Sequence, residues 1–357
     1  MYLFFLLFLS CQSVPDQNSQ DSKTVVLNRI SVLPAYPETL AVCGIPLPIE
    51  DQEVKDRFER EFYTTLHNEN MNLQTVKAGN TLIPVLKKML VENGLPEDLI
   101  YLAIAESNLR FVSSPAGATG LWQLMEFVAR GEELRINYWV DERNHIEKST
   151  KAAIALVKRL KKKYNDWNLV FAAYNVGEGN IDDNIKFQHV RKFFDLYLNE
   201  ETSRYIFRIY AAKAIFEKPE RWGLPAYEFK SPEFETVKVT GPVENLAKFA
   251  LEKGVSYRDL RLINPWMKRR GLPDGKYEIA LPKDRDAGKY DLSGYSYTKL
   301  KAVDNYAASS VDHTVKDGET LLSIALQYDV LVDELKKWNN LKTEMLMNGQ
   351  KLKIVLK

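Results

Sequence analysis

The apolar positions of residues 95–106 predict a short helix that carries a carboxylate on its apolar face. Residues 95–98 contain a proline followed by two acids, a pattern typical of a helix start because acids stabilise the positive end of the helix dipole. Glu106 lies seven residues after Leu99 and four after Leu102, so it shares their apolar stripe. Removal from water raises the pKa of a carboxyl group, which favours a protonated acid that can donate its proton. The alternative is a structural acid paired with Arg110.

A second helix is predicted from Asp166, a good N-cap residue, to Gly177, which can end it. Its apolar face consists of Trp167, Val170, Phe171 and Tyr174. The hydroxyl of Tyr174 is thereby brought into an apolar setting, where a tyrosine hydroxyl usually finds a hydrogen-bond partner. Glu106 is a candidate for that partner.

Two further segments have helical periodicity. Residues 51–68 carry Phe58, Phe62 and Leu66 at four-residue steps, and this helix is expected to pack on the domain that follows. The basic residues between 158 and 163 are interpreted as the solvated face of another helix. Its inward face is predicted to consist of Ile154, Val157, Leu160 and Tyr164.

The C-terminal third contains an internal repeat with a constant offset of 75 residues. The second copy begins with a strand-like segment at residues 313–315, continues with two short amphipathic helices and ends with a strand at residues 351–355. The matching positions are Glu244, Leu246, Ala250, Leu251, Val255, Leu260 and Asn264 in the first copy, and Glu319, Leu321, Ala325, Leu326, Val330, Leu335 and Asn339 in the second.

Composition limits the partners of the chain. The 357 residues have a formal charge of +1, which gives no basic bias toward nucleic acid. Only Cys11 and Cys43 could form disulfides, and four scattered histidines give no metal-site signal.

Residues 3–9 form a short apolar run that leads into Leu9-Ser10-Cys11. This segment resembles a bacterial lipoprotein signal cleaved before a lipidated cysteine. The alternative is an ordinary signal peptide, and either one predicts export.

Three short motifs follow one another in residues 105–179. They are Ala-Glu-Ser at 105–107, Gly-Ala-Thr-Gly-Leu-Trp-Gln at 117–123, and Ala-Ala-Tyr-Asn-Val-Gly-Glu-Gly at 172–179. In this order they resemble the motifs of family 1 lytic transglycosylases. Residues 139–143 and 148–153 are similar to those of the membrane-bound lytic transglycosylase D group, and residues 201–205 resemble the family's late tyrosine helix.

This resemblance implies a mainly α, lysozyme-like catalytic (SLT) domain. Family members cut the β-1,4 bond between N-acetylmuramic acid and N-acetylglucosamine in peptidoglycan, and they leave a 1,6-anhydro sugar instead of adding water. The resemblance makes Glu106 the sole acid and base, with no metal or cofactor.

The resemblance also implies substrate-binding roles. Ser107 is expected to meet polar groups of the substrate, Gln123 to hydrogen-bond in the groove, and Met125 to give an apolar wall. Tyr174 would orient the acid, Asn175 would hold the loop or the glycan, and Tyr205 would complete the set. For Met125 and Tyr205 the alternative is ordinary core packing.

One position departs from the family pattern, and it leaves other functions open. Relatives carry Met-Pro where this chain has Met125 followed by Glu126, which adds a negative charge beside the expected groove. A catalytically inactive cell-wall-binding lipoprotein is therefore one alternative. A hydrolytic muramidase is another, and it would need a second carboxylate. The candidates for that carboxylate are Asp141, Glu142 and Glu178.

The βααβ order of each repeat copy resembles the LysM domain, which binds N-acetylglucosamine-containing glycans. The first copy looks divergent because of an insertion around residues 266–270, and the alternative for either copy is a small domain that only packs on the enzyme. Partners implied are peptidoglycan glycan strands and, through Cys11, the membrane; Gln12 hints at the periplasmic face of the outer membrane. The expected domains are a signal peptide at 1–10, a tether and helical lead-in at 11–77, the catalytic domain at 78–228, a divergent LysM-like domain at 232–285, a linker at 286–311 and a LysM domain at 312–357.

Overall fold

The computed structural model describes residues 34–37, 39–229, 234–283, 309–328, 330 and 332–356. The predicted signal segment and Cys11 lie outside these residues. Two compact units divide the described chain. The first contains residues up to Val76, Pro96–Ala105 and Leu160–Ala226, and the second contains Lys77–Leu95, Glu106–Arg159 and residues from Tyr227 onward.

Residues 39–229 are mainly helical, as the lysozyme-like interpretation predicts. A short hairpin of β1 (Ala41–Val42) and β2 (Ile45–Pro46) precedes the helices. The helices are α1 (Gln52–Leu66), α2 (Glu69–Glu92), α3 (Ile100–Ser107), α4 (Glu126–Gly131), α5 (Ile146–Tyr164), α6 (Trp167–Val176), α7 (Glu178–Gln188) and α8 (Glu200–Phe216). Turns of 3₁₀ helix occur at Glu97–Leu99, Glu142–Asn144, Phe193–Asp195 and Pro219–Trp222.

In the first unit, α1 packs against α8. Asp51 caps α1 by accepting hydrogen bonds from two backbone amides, and Phe58 and Phe62 are fully buried, which confirms the predicted lead-in helix. Glu61 is buried between the two helices and accepts a hydrogen bond from Arg204 of α8 at 2.6 Å. Burial of an acid is tolerated here because the guanidinium compensates its charge.

The start of α3 is also held within the first unit. Lys213 of α8 donates to both carboxylate oxygens of Asp98 at 2.9 Å, and the backbone amide of Cys43 donates to Asp98 at 2.7 Å. Asp98 lies in the 3₁₀ turn that leads into α3. The acid predicted to face the helix dipole therefore also anchors this turn to α8 and the N-terminal hairpin.

Both repeat copies have the predicted βααβ order. In the first, β3 (Phe234–Thr240) pairs antiparallel with β4 (Lys276–Pro282), and α9 (Leu246–Glu252) and α10 (Tyr257–Ile263) lie between them in sequence. In the second, β5 (Ser309–Thr314) pairs antiparallel with β6 (Lys351–Leu356), with α11 (Leu321–Tyr328) and α12 (Val332–Trp338) between. Strand β5 begins four residues before the strand predicted at residues 313–315, because its pairing with β6 extends to Ser309.

Two equivalent asparagines show how similar the copies are. Asn264 donates to the carbonyls of Leu260 and Ala280 and accepts from the amide of Ala280. Asn339 makes the same three bonds with Leu335 and Lys353. In each copy the asparagine side chain ties the end of the second helix to the last strand.

Candidate active site

Glu106 lies in the last turn of α3 and is half-buried. The helix was predicted from its apolar stripe, and Leu99 and Leu102 of that stripe are almost fully buried. The carboxyl group is therefore carried at the end of a helix that the core holds rigidly. This suits a group that must meet a substrate in one orientation.

The helix ends at Ser107, one residue after Glu106. Asn108 and Leu109 both have left-handed backbone angles, with φ of 52° and 57°. The Ser107 hydroxyl is buried and donates to the carbonyl of Leu121 at 2.8 Å. This bond fastens the end of α3 to the loop that follows, and the substrate contact predicted for Ser107 stays a prediction.

The loop at residues 113–124 is tightly folded on itself. Thr119 and Leu124 exchange two backbone hydrogen bonds of 3.1 Å. Gly120 has φ of +86°, and a Cβ atom there would lie 2.1 Å from the carbonyl oxygen of Arg143. Only glycine fits at this position, because the backbone angle and the close approach both exclude a side chain.

Gln123 braces the same loop. Its backbone φ is +46°, and its side-chain nitrogen donates to the carbonyls of Val112 and Gly120 at 2.9 Å. Both bonds use the amide nitrogen and hold the loop backbone. The predicted hydrogen bond of Gln123 to a glycan stays a prediction.

Arg143 connects this loop to the segment after it. Its Nη1 donates to the carbonyl of Gly117 at 2.8 Å and to that of Leu124 at 3.2 Å. Its Nε and Nη2 donate to the two oxygens of Asp141 at 2.9 and 2.7 Å, a bidentate pair that is buried. Sequence reasoning missed this role of Arg143, although residues 139–143 were part of the resemblance to the membrane-bound lytic transglycosylase D group.

Residues 148–153, the other segment similar to the membrane-bound lytic transglycosylase D group, are anchored in a similar way. The indole nitrogen of Trp122 donates to the hydroxyl of Thr150 at 2.9 Å, and both residues are buried. Residues 148–153 belong to α5, so the loop is attached to a long helix. The segments at residues 139–143 and 148–153 thus contain the residues that hold the loop after Glu106.

The candidate second carboxylates are engaged in ion pairs. Asp141 pairs with Arg143, and Glu142, which is 2% exposed, accepts from Arg135 and Lys148 at 2.7 Å. Glu178 pairs with Lys163 at 3.1 Å in the first unit. Residues 141–143 are therefore buried, and each of them takes part in an ion pair.

Replacing Glu142 by glutamine is expected to lower the free energy of unfolding by about 3 kcal/mol at neutral pH, since two cations lose a buried partner. Burial would raise the pKa of Glu142, but hydrogen bonds from Arg135 and Lys148 outweigh it and lower this pKa. A carboxyl group whose folded pKa is lowered stabilises the fold above its unfolded pKa and loses that effect as the pH falls. Urea unfolding should therefore show a gap between the two proteins at pH 7 that narrows below about pH 4. A gap that is constant with pH would contradict this account.

Met125 and Glu126 lie where α4 begins. Met125 is the extended residue before the helix and is 36% exposed, which does not fit the core-packing alternative. Glu126 is the first helical residue and pairs with Arg130 at 2.8 Å. Glutamate is a good helix former, and the helix begins at this residue. The carboxylate of Glu126 is exposed and paired with Arg130. Solvent and the guanidinium therefore reduce the electrostatic effect of its charge on a neighbouring groove.

The remaining site residues lie in the first unit. Asp166 caps α6 by accepting from the amide of Leu169 at 3.0 Å, and Gly177 ends this helix at φ of +88°, both as predicted. Tyr174 and Asn175 are half-buried near the end of α6. Tyr205 in α8 is 2% exposed, which fits the core-packing alternative. The pairing of Tyr174 with Glu106 stays a prediction.

The described residues contain no cluster of three or more His, Cys, Asp or Glu side chains arranged to hold a metal ion. None of the helices in this part of the chain has both the length and the apolar character that a membrane span needs.

Comparison with protein families identifies three domains. Residues 84–195 match the transglycosylase SLT domain, residues 235–285 match the soluble lytic transglycosylase C-terminal LysM-like domain, and residues 313–355 match the LysM domain. Membrane-bound lytic murein transglycosylase D of Escherichia coli K12 is 32% identical over 276 residues, which are 74% of this chain and 61% of that protein. A putative tributyltin chloride resistance protein of Alteromonas sp. strain M-1 is 34% identical over 92 residues, 25% of this chain and 44% of that protein. The chain thus spans less than two thirds of the length of these relatives.

Two solved structures are also similar in part. The 70 kDa soluble lytic transglycosylase of Escherichia coli aligns at a TM-score of 0.30 and 21% identity, over 36% of this chain and 23% of that one. An inactive variant of the lytic transglycosylase Slt from Pseudomonas aeruginosa aligns at a TM-score of 0.31 and 19% identity, over 41% of this chain and 25% of that one.

Proposed function

We propose that this chain, in which a match to the transglycosylase SLT domain is followed by matches to two LysM-like domains, is a peptidoglycan lytic transglycosylase. The bond cleaved is the β-1,4 linkage between N-acetylmuramic acid and N-acetylglucosamine. The product carries a 1,6-anhydromuramoyl end.

Glu106 is the acid and the base in this proposal. It first gives its proton to the glycosidic oxygen, so the bond from the anomeric carbon of N-acetylmuramic acid to that oxygen breaks and N-acetylglucosamine leaves with a hydroxyl group. The C6 hydroxyl oxygen of the same N-acetylmuramic acid then bonds to the anomeric carbon, and its proton returns to the Glu106 carboxylate. The substrate's acetamido group assists the positively charged transition state. No water is consumed, and one carboxylate performs both proton transfers.

The observation that supports this proposal best is the setting of Glu106. It is half-buried at the end of a rigid helix, beside a loop with hydrogen bonds from Ser107, Gln123 and Arg143. Glycosidases with two catalytic carboxylates need a second acid. Of the three candidates for that acid, Asp141 and Glu142 are buried in ion pairs. Glu178 is partly exposed and pairs with Lys163.

Mass analysis of the products tests the chemistry. Digestion of purified peptidoglycan should release muropeptides with anhydro ends, which are lighter by one water than the products of a muramidase. Release of the heavier products would replace this proposal by the hydrolytic one. Failure to release either product would favour the inactive cell-wall-binding alternative.

Substrate-binding roles follow from the family resemblance. Exposed Met125 would lie against a sugar face, while Ser107 and Gln123 would contact the glycan from the loop that they also hold. Tyr174 would orient Glu106, and Asn175 and Tyr205 would complete the groove. The LysM domain at residues 313–355 would bind N-acetylglucosamine units of the same strands.

We further propose attachment to the periplasmic face of a membrane, the outer one by the hint of Gln12, through a lipid on Cys11. The support is the apolar run that ends in Leu9-Ser10-Cys11. Replacement of Cys11 by alanine is expected to move the protein from the membrane fraction to the soluble fraction. Fractionation followed by immunoblotting measures this shift, with Cys43→Ala as the matched cysteine control. An unchanged distribution of Cys11→Ala would indicate an ordinary signal peptide or another attachment.

A further inference from the structure

The two LysM-like copies differ in the connection between the second helix and the last strand. Asn264 bonds to Ala280, 16 residues later, whereas Asn339 bonds to Lys353, 14 residues later. The connection in the first copy is therefore two residues longer. This longer loop, residues 265–272, contains the buried side chains of Trp266 and Met267.

This loop pairs with the segment that holds the catalytic loop. The amide of Asp141 donates to the carbonyl of Trp266 at 2.9 Å, and the amide of Lys268 donates to the carbonyl of Trp139 at 2.8 Å. Val140 and Met267 form an antiparallel bridge between these bonds, and they are 1% and 0% exposed. The LysM-like domain thus adds a short strand to residues 139–141.

Side chains reinforce the contact. The Trp266 ring stacks on His145 with a centroid distance of 5.6 Å. The Arg135 guanidinium lies 4.7 Å from the ring centre of Tyr277, and that of Arg269 lies 4.0 Å from Tyr138. These contacts join the 265–272 loop and strand β4 of the LysM-like domain to residues 135–145, so the domain is docked on this segment.

The docked segment continues into the candidate active site. Asp141, whose amide bonds to Trp266, also fixes the guanidinium of Arg143. Arg143 in turn holds the carbonyls of Gly117 and Leu124. The same loop carries Leu121, which accepts from the hydroxyl of Ser107 next to Glu106. Hydrogen bonds, joined through the backbone of this loop, thus lead from the LysM-like domain to the residue beside the catalytic acid.

We infer that the LysM-like domain at residues 234–283 is a positioning element of the active site, and that Trp266 and Asn264 are its positioning residues. The catalytic consequence in this inference rests on the proposed function, whereas the docking of the domain on residues 135–145 does not. The two copies then have different tasks. The first holds the catalytic loop through its longer connection. In the second, the corresponding connection leaves Met345 and Met347 exposed, at 82% and 75%. We assign the proposed glycan binding to this copy.

The equivalent asparagines supply a matched pair of variants. Asn264→Ala should loosen the connection in the first copy, and Asn339→Ala should remove the same three bonds in the second. On short soluble peptidoglycan oligosaccharides, Asn264→Ala is expected to lower kcat about tenfold with KM little changed, because small displacements of a catalytic group are costly. Asn339→Ala should leave both constants unchanged on this substrate and weaken only sedimentation with insoluble peptidoglycan.

Hydrogen exchange on the full-length protein gives a reading independent of activity. Asn264→Ala should speed exchange in residues 117–124 and 137–145, and Asn339→Ala should speed it in neither. Equal kcat for both variants, or exchange in these segments unaffected by Asn264→Ala, would overturn the positioning role. A wild-type protein inactive on every substrate would overturn the proposed function instead, and the exchange experiment would still decide the docking.

To separate docking from folding of the small domain, Lys268→Ala supplements the pair. Lys268 is exposed and its side chain donates to the carbonyl of Asn137 at 2.9 Å, so its removal spares the domain core. It should reproduce the exchange effect of Asn264→Ala in residues 137–145 at smaller amplitude. No change there, together with an Asn264→Ala domain that has unfolded by circular dichroism, would attribute the kcat loss to unfolding and contradict the inference.

Discussion

Glu106→Gln is expected to lower the rate of anhydromuropeptide release by about 10²–10⁴-fold, since glutamine can neither give nor take the proton that each cycle transfers. Glutamine has nearly the same shape as glutamic acid, so the fold should be retained. The measurement is the initial rate of product release from purified peptidoglycan, with products identified by mass and folding checked by thermal unfolding.

Glu126→Gln is the matched control for this variant. It makes the same chemical change in an exposed glutamate two residues beyond the loop, where the ion pair with Arg130 is worth little. Its rate should equal that of the wild type, and Glu126→Pro, which gives the residue that relatives carry, should be equally active. Comparable activity of wild type and Glu106→Gln would remove Glu106 from the mechanism. If Glu126→Pro alone were active, the wild-type chain would be the inactive alternative.

Gly120→Ala is expected to destabilise the protein by more than about 3 kcal/mol, because the added Cβ would lie 2.1 Å from a backbone oxygen of Arg143 that cannot move aside alone. An apparent unfolding temperature about 10 °C lower would correspond to this cost. Activity should fall as well, since the displaced loop carries Leu121 and Gln123. Thermal unfolding by circular dichroism measures the first effect, and product release at low temperature measures the second.

Gly117→Ala separates the clash from the backbone angle. Gly117 has φ of +89°, close to the +86° of Gly120, but no atom lies within 4 Å of its Cβ position. Alanine there should cost only the left-handed conformation, about 1–2 kcal/mol. Equal destabilisation by the two variants would show that the contact with Arg143 is not what requires glycine.

Local signals in the sequence were enough for the helices around the candidate site. The cap at Asp166, the stop at Gly177 and the apolar stripe ending at Glu106 all depend on residues within one or two turns. The repeat at an offset of 75 residues likewise predicted two βααβ domains, because each copy supplies most of its own core residues. Periodicity and capping report short-range physics, and these elements are formed by short-range physics.

Polar residues near the site were harder to interpret, because their role depends on partners that are distant in sequence. Residues 141–143 have the composition of a solvated turn, yet all three side chains are buried. Arg143 finds its carbonyl partner at Gly117, 26 residues earlier. No periodic pattern carries that information, since the cost of burying a charge is offset only by groups that folding brings within hydrogen-bond distance.

The sequence by itself determined which domains the chain contains and which carboxylate is the candidate acid, because both follow from local patterns and motif order. Only the tertiary structure decided what holds that acid's loop in place and what the first LysM-like copy packs against. The pairing of residues 266–268 with residues 139–141 is made by backbone N–H and C=O groups. Almost every residue type has these same groups, so the side-chain sequence does not reveal the pairing. The different roles that we infer for two copies of similar fold therefore arise from two extra residues and the surface against which they lie.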